Sequence, residues 1–181
     1  DADCSTNPAE IPRFVATLVH GADFAKGSRF AAGGGSGDIT RLRSFGNRGL
    51  NGLVNLGYRT RFTDLCYGYN AIWRRHLSVL GLNPGEHGSP AEWGDGFEIE
   101  TLINIRVARA GLRIFEVPSY EQPRMHGNSN LRAFSDGFRV LRTVMAERRR
   151  ANEAAASEPE AQRIIRLDEP AVVDTRPDAD V

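Results

Sequence analysis

The chain has 181 residues, 40% of them hydrophobic and 25% charged, with a formal net charge of +0 at pH 7. That size suits one domain with one core, and the charge balance gives a duplex-binding surface no global support, so nucleic acid is not an expected partner. Two cysteines, Cys4 and Cys66, are too few for a disulfide-stapled secreted fold; they favour a reducing compartment and leave a single Cys4 to Cys66 bridge open, while no apolar run approaches the ~18 to 20 residues of a spanning helix.

In chain order, Asn7-Pro8-Ala9-Glu10 reads as a helix start. Asn7 is the N-cap, Pro8 takes the first helical position and Glu10 reaches back in a capping box. Ile11, Phe14, Val15, Leu18 and Val19 follow at helical spacing, and Gly21 ends the helix. The stretch Ala22 to Phe30 predicts a strand that delivers Gly27-Ser28-Arg29 to its C-terminal end. Gly33 to Gly37 read as a flexible loop. Leu42, Phe45, Leu50, Leu53 and Val54 predict a second helix, weakened or allowed to pack closely by Gly46, Gly49 and Gly52.

Thr63 to Trp73 hold a turn and a strand, and Asn83 to Gly96 a long loop. Ile99, Leu102, Ile103, Val107 and Ala110 mark a third helix ended by Gly111, before a strand from Leu112 to Val117. A polar loop from Ser119 to Asn130 leads to a last helix with Leu131, Phe134, Phe138, Leu141 and Met145 on one face. Residues 1 to 148 form the expected domain, and 149 to 181, rich in Ala, Glu, Asp and Pro, an expected disordered tail. Alternating helices and strands imply an α/β layered fold.

The chemically suggestive residues begin with Asp1 and Asp3. An acid-x-acid triplet at a strand end can hold Mg²⁺ or Mn²⁺, because these hard ions take carboxylate oxygens and leave positions for water and phosphate. Taken alone, the triplet reads equally as a solvated turn. A second acidic cluster, Asp95, Glu98 and Glu100, leads into the third helix, where acids also complement the helix dipole. Arg43 and Asn47 lie one helical turn apart and can face one phosphate, or Arg41 and Arg43 simply solvate the helix. His20, His76, His87 and His126 lack paired ligand spacing, and Gly33 to Gly37 lack the Lys-Ser/Thr ending of a phosphate-binding loop.

The segments DAD, GSRF, DLCYGYNA, GFEIET and EVPSYEQPRMHGNSNL, in this order and spacing, resemble the family 2 glycosyltransferases, in particular the dolichol-phosphate mannose synthase-like, polyprenyl-phosphate sugar transferases. The resemblance runs from Asp1 to about Arg148. It implies the C-terminal portion of a GT-A domain with a mixed sheet flanked by helices, since the family's upstream nucleotide-binding strands, with their apolar-Pro-x-x-Asn-Glu turn, do not occur in this sequence. It also implies an inverting, metal-dependent transfer from a UDP- or GDP-linked sugar to a polyprenyl phosphate at the cytoplasmic face of a membrane.

By that resemblance Asp1 and Asp3 bind the metal, with Ser5 as a weaker third ligand. Arg29, Arg43, Asn47, Arg124, Ser129 and Asn130 contact donor and acceptor phosphates, Asn130 standing where the family carries Lys. Asp64 matches an acidic position beside the acceptor. If the acceptor is instead a saccharide hydroxyl, as in cell-surface polysaccharide synthesis, a general base is needed and Asp64 or Asp95 would supply it. A lipid phosphate, already mostly dianionic at neutral pH, needs none. A catalytically inactive truncated binding remnant is the third reading, and the fragment alone is expected to be inactive. The last helix, with Arg132, Arg139, Arg142 and Arg148-Arg149-Arg150 beside its apolar face, suits either peripheral membrane contact or packing within the domain.

Overall fold

A computed structural model describes residues 5–37, 39–81, 98–123, 133–157 and 173–174. Residues Pro8–Glu10 form a short 3-10 turn that runs into α1 (Ile11–Val19). Asn7 caps it as expected, its Oδ1 accepting from the Ala9 N–H at 3.0 Å. The other half of the capping box does not form. Glu10 turns away to the far end of the chain, where its carboxylate accepts from Ser119 Oγ and from the Tyr120 N–H.

The strands are β1 (Phe24–Ser28), β2 (Gly35–Ser36), β3 (Asn70–Ile72), β4 (Ile114–Pro118), β5 (Tyr120–Glu121) and β6 (Val173–Asp174). The main sheet has the order β3-β1-β4-β6. β1 is antiparallel to β3, with Lys26 opposite Asn70, and parallel to β4, with Phe24 opposite Ile114 and Ser28 opposite Pro118. β4 is parallel to β6. The sheet is therefore mixed, as the sequence implied. Every residue of β1 is buried because the strand is central and covered on both faces.

α1 covers one face, where Phe14, Leu18 and Ala22 pack with Ala25 and Val117. On the other face lie α2 (Arg41–Tyr58), α3 (Glu98–Arg109) and α4 (Ala133–Ser157). There Phe24 and Ile114 pack with Val54, Leu65, Ile105, Val107, Val140 and Val144. α3 and α4 are joined by a buried carboxylate, Glu147, which accepts from Arg106 at 3.3 Å and Arg109 at 3.1 Å.

The structure adds to the sequence reading at several elements. Gly33 to Gly37 is not simply a loop: Gly35–Ser36 pairs in parallel with Tyr120–Glu121, and Gly35 meets the Tyr120 ring so closely that a Cβ there would lie 2.8 Å from it. The helix after it splits its apolar residues: Val54 is buried and Leu50 packs on the core, while Leu42, Phe45 and Leu53 are exposed. Phe45 is 76% exposed and Leu56 84% exposed, whereas Asn47, Asn51 and Val54 are buried. In α4 Phe138 is 68% exposed and Met145 56% exposed, while Val140, Thr143, Val144 and Glu147 are buried. Within 149–181, helical backbone continues to Ser157, through the strong helix formers Ala151 and Ala154 to Ala156, and Val173–Asp174 adds to the sheet edge.

Candidate functional site at the carboxyl edge of the sheet

β1 and β4 run in parallel and end together, at Ser28 and Pro118. In an α/β sheet this edge is where chain directions diverge and ligands bind. Arg29 leaves β1 there, Glu121 follows β4, and the turn from Asp64 to Tyr69 enters the antiparallel β3 at the same edge.

Asp64 is fully buried. Its Oδ2 accepts from the Arg29 N–H at 3.1 Å and from Arg29 Nε at 2.7 Å, and its Oδ1 accepts from Arg29 Nη2 at 2.9 Å and Asn47 Nδ2 at 3.0 Å. This is the bidentate fork that matches guanidinium to carboxylate. Arg29 Nη1 donates to Glu121 Oε2 at 2.9 Å, and that oxygen also accepts from Ser36 Oγ. The guanidinium lies 4.8 Å from the centre of the Tyr67 ring. Burial alone would lower the pKa of Arg29, but the hydrogen bonds and charges of Asp64 and Glu121 outweigh it and raise it. Asp64 and Glu121 take three of the five side-chain N–H groups, one each on Nε, Nη1 and Nη2.

Beneath this pair Lys26 is completely buried in β1, and its Nζ donates to the carbonyls of Gly27 at 2.8 Å and Tyr67 at 2.6 Å. Burial pulls its pKa down, opposed by the charges of Asp64 and Glu116. Glu116 accepts from Thr63 through both N–H and Oγ1, and its carboxyl is pushed up, chiefly by burial. The Tyr67 hydroxyl meets Ser119 Oγ at 2.9 Å, and burial pushes it up to about 12. Cys66 is a free thiol, pushed up to about 12 chiefly by burial, which leaves almost no thiolate at neutral pH.

The structure thus brings Arg29, Asp64 and Asn47 together. Asn47 is buried; its Nδ2 is on Asp64 and its Oδ1 accepts from the Cys66 N–H at 3.3 Å. It belongs to a ladder. One turn on, Asn51 donates to the Thr63 carbonyl and accepts from the Leu65 N–H. One turn further, Asn55 donates to the Phe62 carbonyl and accepts from the Phe62 N–H and Thr60 Oγ1. Three amides at i, i+4 and i+8 hold the segment that carries Asp64 against α2. Arg43 is half-buried in the first turn of the same helix.

Ser5 is buried, and its carbonyl accepts from the Gln122 N–H at 2.8 Å, next to Glu121. Ser5 therefore lies at this edge. Asp1 and Asp3 themselves lie outside the described residues, as do Asp95, Arg124, Ser129 and Asn130. Among the described residues no group of three or more His, Cys, Asp or Glu side chains is placed to hold a metal ion. Reasoning from sequence missed Lys26, Tyr67, Glu121 and the lower rungs of the ladder; the Asn47, Asn51, Asn55 periodicity was the signal available for the last.

The fold and this edge define an α/β protein with a mixed sheet and a buried arginine–carboxylate centre at its carboxyl end. No protein-family model matches the chain. Over 138 residues it is 30% identical to Glycosyltransferase AglJ of Haloferax volcanii, a match that covers 76% of this chain and 42% of that protein. The chain thus spans less than half the length of that relative, and the similarity is consistent with a GT-A-like arrangement of the sheet.

Proposed function

We propose that the protein to which this chain belongs is a glycosyltransferase of the polyprenyl-phosphate type, moving a sugar from a UDP- or GDP-linked donor to a polyprenyl phosphate at a membrane surface. The similarity to a named glycosyltransferase supports sugar transfer. The observation that carries the lipid acceptor is α2. Its inner face holds the Asp64 turn through the asparagine ladder, while its outer face presents Leu42, Phe45, Leu53 and Leu56, all exposed, with Gly46, Gly49 and Gly52 open between them. The helix contains Arg41, Arg43 and Arg48 and no acidic residue. α4 exposes Phe138 and Met145 beside Arg142 and Arg149. An apolar stripe edged by arginine is complementary to an anionic lipid surface. No helix among the described residues is long and apolar enough to cross a membrane.

Arg29 anchors the acceptor phosphate through its two remaining N–H groups. Lys26 and Arg29 are outnumbered by Asp64, Glu116 and Glu121, so further positive charge is required, and Arg43 and Arg124 are the residues assigned to it. Asp1 and Asp3, with Ser5, offer the hard oxygen set that Mg²⁺ or Mn²⁺ prefers, and Ser5 sits at the correct edge. Such an ion offsets charge on the departing diphosphate. Transfer to a saccharide hydroxyl gains nothing from Asp64, whose oxygens already accept four hydrogen bonds.

The test is turnover by the full-length polypeptide with UDP- and GDP-linked sugars against a short polyprenyl phosphate and against saccharides. Release of nucleoside diphosphate only with the lipid phosphate, abolished by EDTA, is the expected result. Turnover with saccharides alone would overturn the lipid reading.

A further inference from the structure

Among the described carboxylates that are buried or half-buried, Glu100 is the one with no hydrogen-bond or ion-pair partner beyond its own backbone N–H. Glu10, Asp64, Glu116, Glu121 and Glu147 are each engaged by at least two donors, and Glu98 is paired with Arg139. Glu100 stands in the first turn of α3, whose N-terminal end lies at the carboxyl edge of the sheet because the helix leads back to the start of β4. Its side chain covers Gly68 so closely that a Cβ on Gly68 would meet its Cγ and Oε1 at 3.2 Å. Gly68 follows Tyr67, whose carbonyl accepts from Lys26 and whose ring stacks under Arg29.

Beyond that backbone N–H the half-buried carboxylate has acceptor capacity that no described protein donor uses, and burial pushes the Glu100 carboxyl up, its backbone N–H, Lys26 and Arg29 pulling the other way and Glu98 adding to the rise. The dipole of α3 offers such a group only ~0.3–1 kcal/mol. A carboxylate has acceptor capacity alone, so its ligand must bring donors; a phosphate brings none at neutral pH. Sugar hydroxyls do, and neighbouring hydroxyls suit the two oxygens of one carboxylate.

We infer that Glu100 recognises the transferred sugar, accepting hydrogen bonds from its hydroxyl groups. This rests on the sugar-transfer reading above. With a lipid phosphate as acceptor, the donor sugar is the group at the reacting centre that carries hydroxyls, which is why the assignment goes to the donor.

The experiment is calorimetric titration of the full-length wild type, Glu100→Gln and Glu100→Ala with UDP, GDP, UDP-glucose, UDP-N-acetylglucosamine and GDP-mannose. For a sugar nucleotide that the wild type binds, Glu100→Ala raises the ratio of its Kd to that of the free nucleotide about tenfold or more, and Glu100→Gln by less. Gly68→Ala, which displaces the carboxylate without removing it, raises the same ratio. An unchanged ratio in Glu100→Ala overturns the inference, as does an equal loss for nucleotide and sugar nucleotide. If the wild type binds neither nucleotides nor sugar nucleotides, the sugar-transfer reading fails first and takes this one with it.

Discussion

Asp64 shows how burial decides the role of a residue whose chemistry is ambiguous in sequence. A general base needs a free lone pair directed at its substrate, and here both oxygens are occupied by Arg29 and Asn47. The carboxylate instead fixes the guanidinium. Asp64→Asn removes the charge that compensates a buried arginine, and such a loss costs about 3–5 kcal/mol. The expected outcome is a fall of that size in urea-denaturation stability. A variant of normal stability that had lost only its turnover would return Asp64 to the role of base. Glu121→Gln makes a contrasting prediction, since Arg29 keeps its fork to Asp64. Stability should fall by only about 1–3 kcal/mol, while KM for the acceptor rises through loss of the charged acceptor that holds Nη1.

α2 carries the largest difference between expectation and structure, and the reason is physical. Hydrophobic periodicity locates a helix but assumes that its apolar face points inward. In α2 the inward face is asparagine, because the segment it covers is irregular and its backbone groups need partners that neighbouring strands would otherwise supply. Asn51→Ala strands the Leu65 N–H and the Thr63 carbonyl, a cost of about 2–4 kcal/mol, read as a lower urea midpoint. Leu56→Glu and Phe45→Glu touch the opposite face, so they should leave thermal stability nearly unchanged. They should reduce sedimentation with vesicles containing anionic phospholipid at least about tenfold, given ~25 cal/mol per Å² of apolar surface withdrawn from water. Binding to vesicles unaltered by both substitutions would remove α2 from the membrane surface. The existence of the four α-helices, by contrast, was legible, though the 3-10 helix Arg74–Leu80 was not: Pro8, Gly21 and Gly111 bound elements where expected, Gly21 and Gly111 with φ of 113° and 66° that favour glycine.

At the scale of the whole molecule, the alternation of helix and strand announced the layered fold, and the segment order GSRF, DLCYGYNA, EVPSYE announced which parts meet at one edge. Pairings between distant charges were not legible, since composition cannot tell which of the many arginines joins which acid; Arg29 reaches Glu121 across most of the fold, as Arg113 reaches Asp23. These buried charges make stability depend on pH with a sign that can be worked out. Burial chiefly raises Glu116 above the ordinary value of 4.5, so between that value and the raised one the folded chain binds more proton than the unfolded chain. Stability from this group is therefore full in acid and declines as pH rises through the window. Asp23, lowered by its hydrogen bond from Arg113, acts in the opposite sense, and only below 3.8, where the two windows do not overlap. Lys26, lowered chiefly by burial, responds below 10.5 and is common to the wild type and Glu116→Gln. In Glu116→Gln the amide can still accept from the Thr63 N–H, while the titrating group is gone. The melting temperature of the wild type relative to Glu116→Gln should thus be highest below pH 4.5 and fall as the pH rises through the window, levelling once Glu116 is ionised. Parallel curves across that range would show that Glu116 titrates in the folded chain as it does in the unfolded one, and that Thr63 and Lys26 fully offset its burial.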